Sequence, residues 1–130
     1  MDILIDTQVL VWLVDDDTRL GAEAKRALID TSNKILISYF SFFEMTIKAS
    51  IGKLSWDTSL TEDLPRMGID LIMPDLDALI SYAVFNPANK DPFDNILISV
   101  ARNKKAVLMT SDPKMLTVSI PGLRVIDAKK

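Results

Sequence analysis

The chain has 130 residues, enough to bury one core without covalent staples, and its 15 basic and 18 acidic residues leave a net charge of −3. It contains neither cysteine nor histidine, which excludes disulfides, thiolate nucleophiles, Ser-His-Asp triads and metal sites built on those ligands. Chemistry must rest on carboxylates, hydroxyls and basic side chains, and an acidic chain binds nucleic acid only through a local basic rim or bound cations.

Ile3, Leu4 and Ile5 form a short continuous apolar run, as in a strand buried on both faces of a parallel sheet. Asp6 closes that run, and Val9, Leu10, Leu13 and Val14 then recur at helical spacing from Thr7 onward. Asp15, Asp16, Asp17 and Thr18 form a polar break, after which Leu20 and Gly21 open a second helix over Ala22–Ile29. Thr31, Ser32 and Asn33 read as a turn, and Ile35 to Ser38 as a second strand. Ser41 with Glu44 three residues later has the capping-box pattern, so a helix is expected over 42–51, ended by Gly52.

A loop over 56–59 leads to a short helix over 60–67 that Gly68 terminates. A third strand over 69–73 stops at Pro74, and a helix is expected over 75–85 before the break at Asn86, Pro87, Ala88 and Asn89. Asp91 and Pro92 open a strong helix through Ile96, Leu97, Val100 and Ala101. A fourth strand spans 106–110 and a fifth 123–126. Strands alternating with helices predict a single domain over 1–130, a three-layer α/β/α fold with a mainly parallel sheet of about five strands. No apolar run approaches the roughly 20 residues that cross a bilayer, and no basic region precedes an apolar block at the N-terminus, so the expected compartment is the cytoplasm.

In a parallel sheet the strand ends and helix starts share one edge. Asp6, Glu44, Asp94 and Asp112 all fall at such positions, which predicts four carboxylates around one cleft. Each also has a local structural reading. Asp6 or Thr7, Asp91 ahead of Pro92, and Asp112 ahead of Pro113 fit helix N-caps. Glu44 fits a capping box with Ser41 or an ion pair with Lys48, and Asp94 favours the helix dipole. Thr7, Thr110 and Ser111 are ordinary turn or cap hydroxyls unless they bond near a metal or phosphate. Several carboxylates in one cleft repel, and a hard divalent cation relieves that repulsion. An oxygen-only donor set suits Mg²⁺ or Mn²⁺.

The order and spacing of five blocks resemble the PIN-domain ribonucleases, specifically the VapC-type toxins of toxin–antitoxin pairs. These are Ile3-Leu-Ile-Asp-Thr-Gln-Val-Leu-Val-Trp12, then Ile37-Ser38, then Phe43-Glu-Met-Thr-Ile-Lys48 with Gly52-Lys53-Leu54. Asp91-Pro-Phe-Asp-Asn-Ile-Leu-Ile98 and Leu108-Met-Thr-Ser-Asp112 complete the set, so the resemblance covers nearly the whole chain. It implies Asp6, Glu44, Asp94 and Asp112 as the catalytic and metal-binding acids, with Asp6 and Asp94 closest to the ion and Asp91 supporting. It implies metal-dependent hydrolysis of RNA phosphodiester bonds. It also implies a homodimer and a cognate antitoxin whose C-terminal segment covers the cleft. The chain departs from the family's common residues at Gln8 and at Asn89-Lys90, where histidine is frequent. It departs again at Phe43, often tryptophan, and at Asn95, often arginine. No departure removes an acid.

Lys48, Lys53 and Lys90 are the leading candidates for an RNA-facing rim, with Arg102, Lys104, Lys105 and Lys114 further out. Phe40, Phe42 and Trp56 either stack on bases or pack in the core. Two competing readings are a catalytically silent PIN scaffold that binds a partner and a receiver-like phosphoacceptor domain. The receiver reading fits poorly: a lone Asp6 stands after the first strand, and the third strand runs into Met73-Pro74 where the phosphoacceptor is required.

Overall fold

A computed structural model of the chain describes residues 1–57, 59–82 and 91–130. The element order is β1 (Asp2–Ile5), α1 (Thr7–Val14), α2 (Ala22–Ile29), β2 (Lys34–Ser38), α3 (Tyr39–Ser50) and α4 (Leu60–Asp63). It continues with β3 (Ile69–Ile72), α5 (Leu76–Tyr82), α6 (Pro92–Lys104), β4 (Val107–Thr110), α7 (Pro113–Leu116) and β5 (Arg124–Asp127). The strands form one five-stranded sheet in the order β3-β2-β1-β4-β5, and every pairing is parallel. This is the α/β/α arrangement that the alternation of strands and helices predicts.

Burial explains why the central strands carry no polar alternation. Ile3, Ile5, Ile35, Ile37 and Met109 face a core closed by α1, α2 and α4, with Leu10, Trp12, Leu28 and Leu64 packed there. Leu4, Leu36 and Leu108 face a second core beneath α6, filled by Leu97, Val100 and Ala101. Both faces of β1 are therefore covered, which a continuous apolar run requires.

The topology positions the site. From β1 the chain adds β2 and β3 on one side, then returns to add β4 and β5 on the other. The direction of winding reverses between β1 and β4, the point where open α/β sheets leave a crevice at their carboxyl edge. Ile5 lies in register with Met109, and the Asp6 amide donates to the Met109 carbonyl at 3.2 Å. Asp6 and Thr110 thus arrive side by side at that crevice.

Two local expectations are corrected. β2 runs without a turn into α3, whose N-cap is Ser38, its hydroxyl accepting from the Phe40 amide at 3.1 Å. Ser41 is consequently inside the helix and buried, its Oγ without a hydrogen-bond partner, and Glu44 stands in the second turn instead of the first. The helix expected over 60–67 is only α4, because Pro65 has no N–H to continue it; turns lead to Gly68, at φ +73°. α5 begins at Leu76, and the remainder of that expected helix, the break at 86–89 and Lys90 lie outside the described residues. Among the described residues no helix is long and apolar enough to cross a membrane.

Candidate active site

Asp6 is held by three elements at once. As N-cap of α1 its Oδ1 accepts from the Val9 amide at 2.8 Å, while Oδ2 accepts from the Thr110 hydroxyl at the end of β4. The Ser111 amide lies near this carboxylate and favours its charged form. The cap reading holds for Asp6, and it does not compete with a place in the crevice, since Asp6 also lines the cleft there. Asp6 is 8% exposed, and no salt bridge reaches it among the described residues. Burial pushes its carboxyl above the usual range, the Thr110, Val9 and Ser111 donors oppose that rise, and the nearby Glu44 charge adds to it.

Glu44 is clamped from two directions. Its Oε1 accepts from the Thr7 hydroxyl at 2.8 Å, and its Oε2 lies 3.4 Å from Lys48 Nζ one helical turn on. At the start of α6, Asp91 is the N-cap, accepting from the Phe93 amide at 2.9 Å, with Pro92 at the first helical position. Asp94 follows in that first turn. Asp112 caps α7 through the Lys114 amide at 2.8 Å, and its own amide donates to Thr110 Oγ1 at 3.1 Å. Thr110 thus bridges Asp6 and Asp112, donating to one and accepting from the other.

All four predicted acids line one cleft of 270 Å³, together with Asp91, Thr7 and Ser111. Lys48 lines it as well, whereas Lys53 is exposed outside its walls. Val11, Leu54 and Leu97 supply apolar wall, and Gln8 also lines the cleft; the sequence reading assigns none of the four a place in the site. The signal was present in the spacing, since Val11 lies one turn from Thr7 and Leu97 one turn from Asp94. Phe42 is buried and packs against Trp56, ring centroids 5.7 Å apart, so both serve the core. A wider hollow of 600 Å³ beside Arg102 and Gly122 gathers no carboxylates and lies at the opposite end of α6.

The donor set is tested by its chemistry. The cleft offers carboxylate and hydroxyl oxygens with no nitrogen or sulfur ligand, which suits a hard cation. Among the described residues no three acidic side chains converge closely enough to ligate one ion jointly.

A wholly parallel α/β sheet with carboxylates ringing the crevice at its winding reversal defines a class of acidic-site α/β proteins. Within that class the comparison of sequences is decisive: the PIN domain profile matches residues 3–120, and the chain belongs to the PIN domain family. Its fold is similar to that of VapBC2 from Rickettsia felis, bound to a promoter DNA fragment, with TM-score 0.73, 18% identity and 98% of each chain covered. It is similar to VapBC-1 from nontypeable Haemophilus influenzae, with TM-score 0.70, 20% identity and 100% of each chain covered. DNA-bound VapBC from Salmonella typhimurium matches at TM-score 0.68 and 18% identity over 98% of each chain. None of the curated proteins compared with the chain matches it.

Proposed function

We propose that the protein is a Mg²⁺- or Mn²⁺-dependent endoribonuclease, the toxin of a toxin–antitoxin pair, acting in the cytoplasm. The observation that carries this reading is the gathering of Asp6, Glu44, Asp91, Asp94 and Asp112 around one cleft at the sheet's winding reversal. Membership of the PIN domain family supports the nuclease assignment. The solved relatives, named as VapBC complexes, support an antitoxin as partner.

In this reading Asp6 and Asp94 would hold the ion, and Glu44 and Asp112 would complete the site around it or position a second ion. The ion supplies a water of lowered pKa and charge stabilisation at the phosphoryl group. The protein contributes orientation. Thr110 and the Val9 amide fix both oxygens of Asp6, while Thr7 fixes Glu44 through Oε1 and Lys48 lies beside its Oε2. Val11, Leu54 and Leu97 narrow the cleft and strengthen every charge interaction inside it. The antitoxin covers this cleft with its C-terminal segment, and the toxin forms a homodimer.

The test is cleavage of a panel of structured RNAs by purified, antitoxin-free protein with Mg²⁺ or Mn²⁺, with EDTA, and with Asp6→Asn. Metal-dependent cutting that disappears in the variant is the expected result. A metal-induced rise in melting temperature without cleavage of any RNA favours a narrow substrate; neither response favours a silent binding scaffold.

A further inference from the structure

Among the described residues, Lys48 is the one basic side chain lining the carboxylate cleft. It approaches Glu44 Oε2 at 3.4 Å, with its own side chain 48% exposed and that of Glu44 13%. We infer that Lys48 is a positioning residue with two alternating acceptors. Its ammonium neutralises Glu44 when the cleft lacks a cation, and turns to an RNA phosphate once a divalent cation takes over the Glu44 charge. The inference rests on the nuclease reading and adds a role that the reading does not require.

Three features support the exchange. First, Glu44 does not depend on Lys48 for its placement, because the Thr7 hydroxyl holds Oε1 at 2.8 Å and stays when the ammonium leaves. Second, the lysine end of this i,i+4 pair is half exposed, so the ammonium stays in reach of water as it leaves, and the carboxylate it leaves is the one the cation neutralises. Third, the lysine is a flexible stem carrying a point charge, able to swing between neighbouring anions without the fixed fork geometry of arginine. Ammonium and metal ion compete for one carboxylate. With both present, electrostatics expels the ammonium toward the next anion, and in a cleft holding RNA that anion is phosphate.

Competition gives the inference a signature that a structural brace lacks, since the two ligands must respond in opposite directions to Lys48→Gln. Mn²⁺ affinity, read from the spin-resonance signal of free Mn²⁺ in titrations without RNA, is expected to tighten about threefold or more as the competing charge is removed. KM for a single-stranded RNA that the wild type cleaves is expected to rise. The slope of log KM against log salt is expected to shrink by about 0.7, the contribution of one phosphate contact. Lys48→Arg, which keeps the charge, is expected to retain the salt slope. Weaker or unchanged Mn²⁺ binding in Lys48→Gln, or an unchanged salt slope, overturns the inference while leaving the nuclease standing. A wild type that binds no Mn²⁺ overturns the nuclease reading itself and this inference with it.

Discussion

The Thr110 hydroxyl donates to Oδ2 of Asp6 across 104 residues of sequence, and the same oxygen accepts from the Asp112 amide. One side chain at the end of β4 therefore sets the position of the acid that ends β1 and of the turn that carries another. Thr110→Val keeps the shape and removes both bonds. Hydrogen bonds to charged groups contribute about 1.5–3 kcal/mol, so the variant is expected to lose stability of that order at neutral pH in chemical denaturation. Mn²⁺ affinity should weaken in parallel as Asp6 loses a donor that favours its charged form. Wild-type stability and metal affinity in Thr110→Val would refute a positioning role.

Burial raises the Asp6 carboxyl above its ordinary 3.8, which makes the metal-free protein sensitive to pH in a direction opposite to the usual paired acid. A folded-state pKa above the unfolded value gives stability that is complete below 3.8 and is lost as pH rises through the folded value. Asp6→Asn removes that loss and keeps an N-cap of comparable quality. In EDTA, wild-type melting temperature is expected to fall relative to Asp6→Asn between acid and neutral pH. Mn²⁺ at neutral pH should restore the wild type and leave the variant unchanged. Parallel pH profiles for the two proteins in EDTA would contradict the shift.

How much of this was readable depends on the range of the interaction. The Asp91-Pro92 start of α6 was legible because a cap and its proline are neighbours, and the structure shows the Asp91 carboxylate on the Phe93 amide at 2.9 Å. The Ser41-Glu44 capping box is an equally good local pattern, yet it lost to Ser38, because β2 feeds straight into α3 and tertiary pairing decides where the strand ends. Asp6, Asp94 and Asp112 are legible from their places at strand ends and helix starts, Glu44 lies one turn deeper in α3 than its pattern predicts, and only the family resemblance separates a shared cleft from ordinary capping. The Thr110 bridge was not, since it requires β4 to lie beside β1, an adjacency that no local spacing encodes. The Thr7 bond to Glu44 is hidden for the same reason, joining α1 to α3 over 37 residues.

Gly21 has a packing role that its sequence position suggested only as a helix start. Its amide donates to the Ala128 carbonyl at 2.9 Å, and an added Cβ would stand 2.1 Å from the Lys130 carbonyl carbon. The obstacle is backbone, which cannot swing aside as a side chain would. Gly21→Ala is expected to push the residues after β5 away from α2 and to cost about 1–3 kcal/mol, as overpacking does. Urea denaturation checks the cost, and amide exchange at Gly21 and Glu23, whose N–H groups serve Ala128 and Lys130, checks the displacement. Unchanged stability with unchanged protection would mean that the residues after β5 yield freely.

The homodimer reading has a physical correlate on α3. Tyr39, Phe43, Ile47 and Ile51 recur every four residues along its outer face, and all are exposed, Phe43 by 58%. Single exposed apolar residues are common, but four in line form a patch of the kind that marks an interaction surface. A two-fold axis through such a stripe brings the patch against its own copy, the commonest symmetry of soluble oligomers. Phe43 sits mid-stripe and already leans on Phe93, ring centroids 5.9 Å apart, so its truncation removes the most contact for one substitution. The wild type is expected to sediment as a dimer at micromolar concentration. Phe43→Ser should shift it toward monomer with a dissociation constant raised tenfold or more, about 1.4 kcal/mol. Because Phe43 lies outside the cleft lining, Mn²⁺ affinity should stay within error of wild type. A monomeric wild type, or a Phe43→Ser protein that dimerises as tightly, would remove α3 as the contact surface.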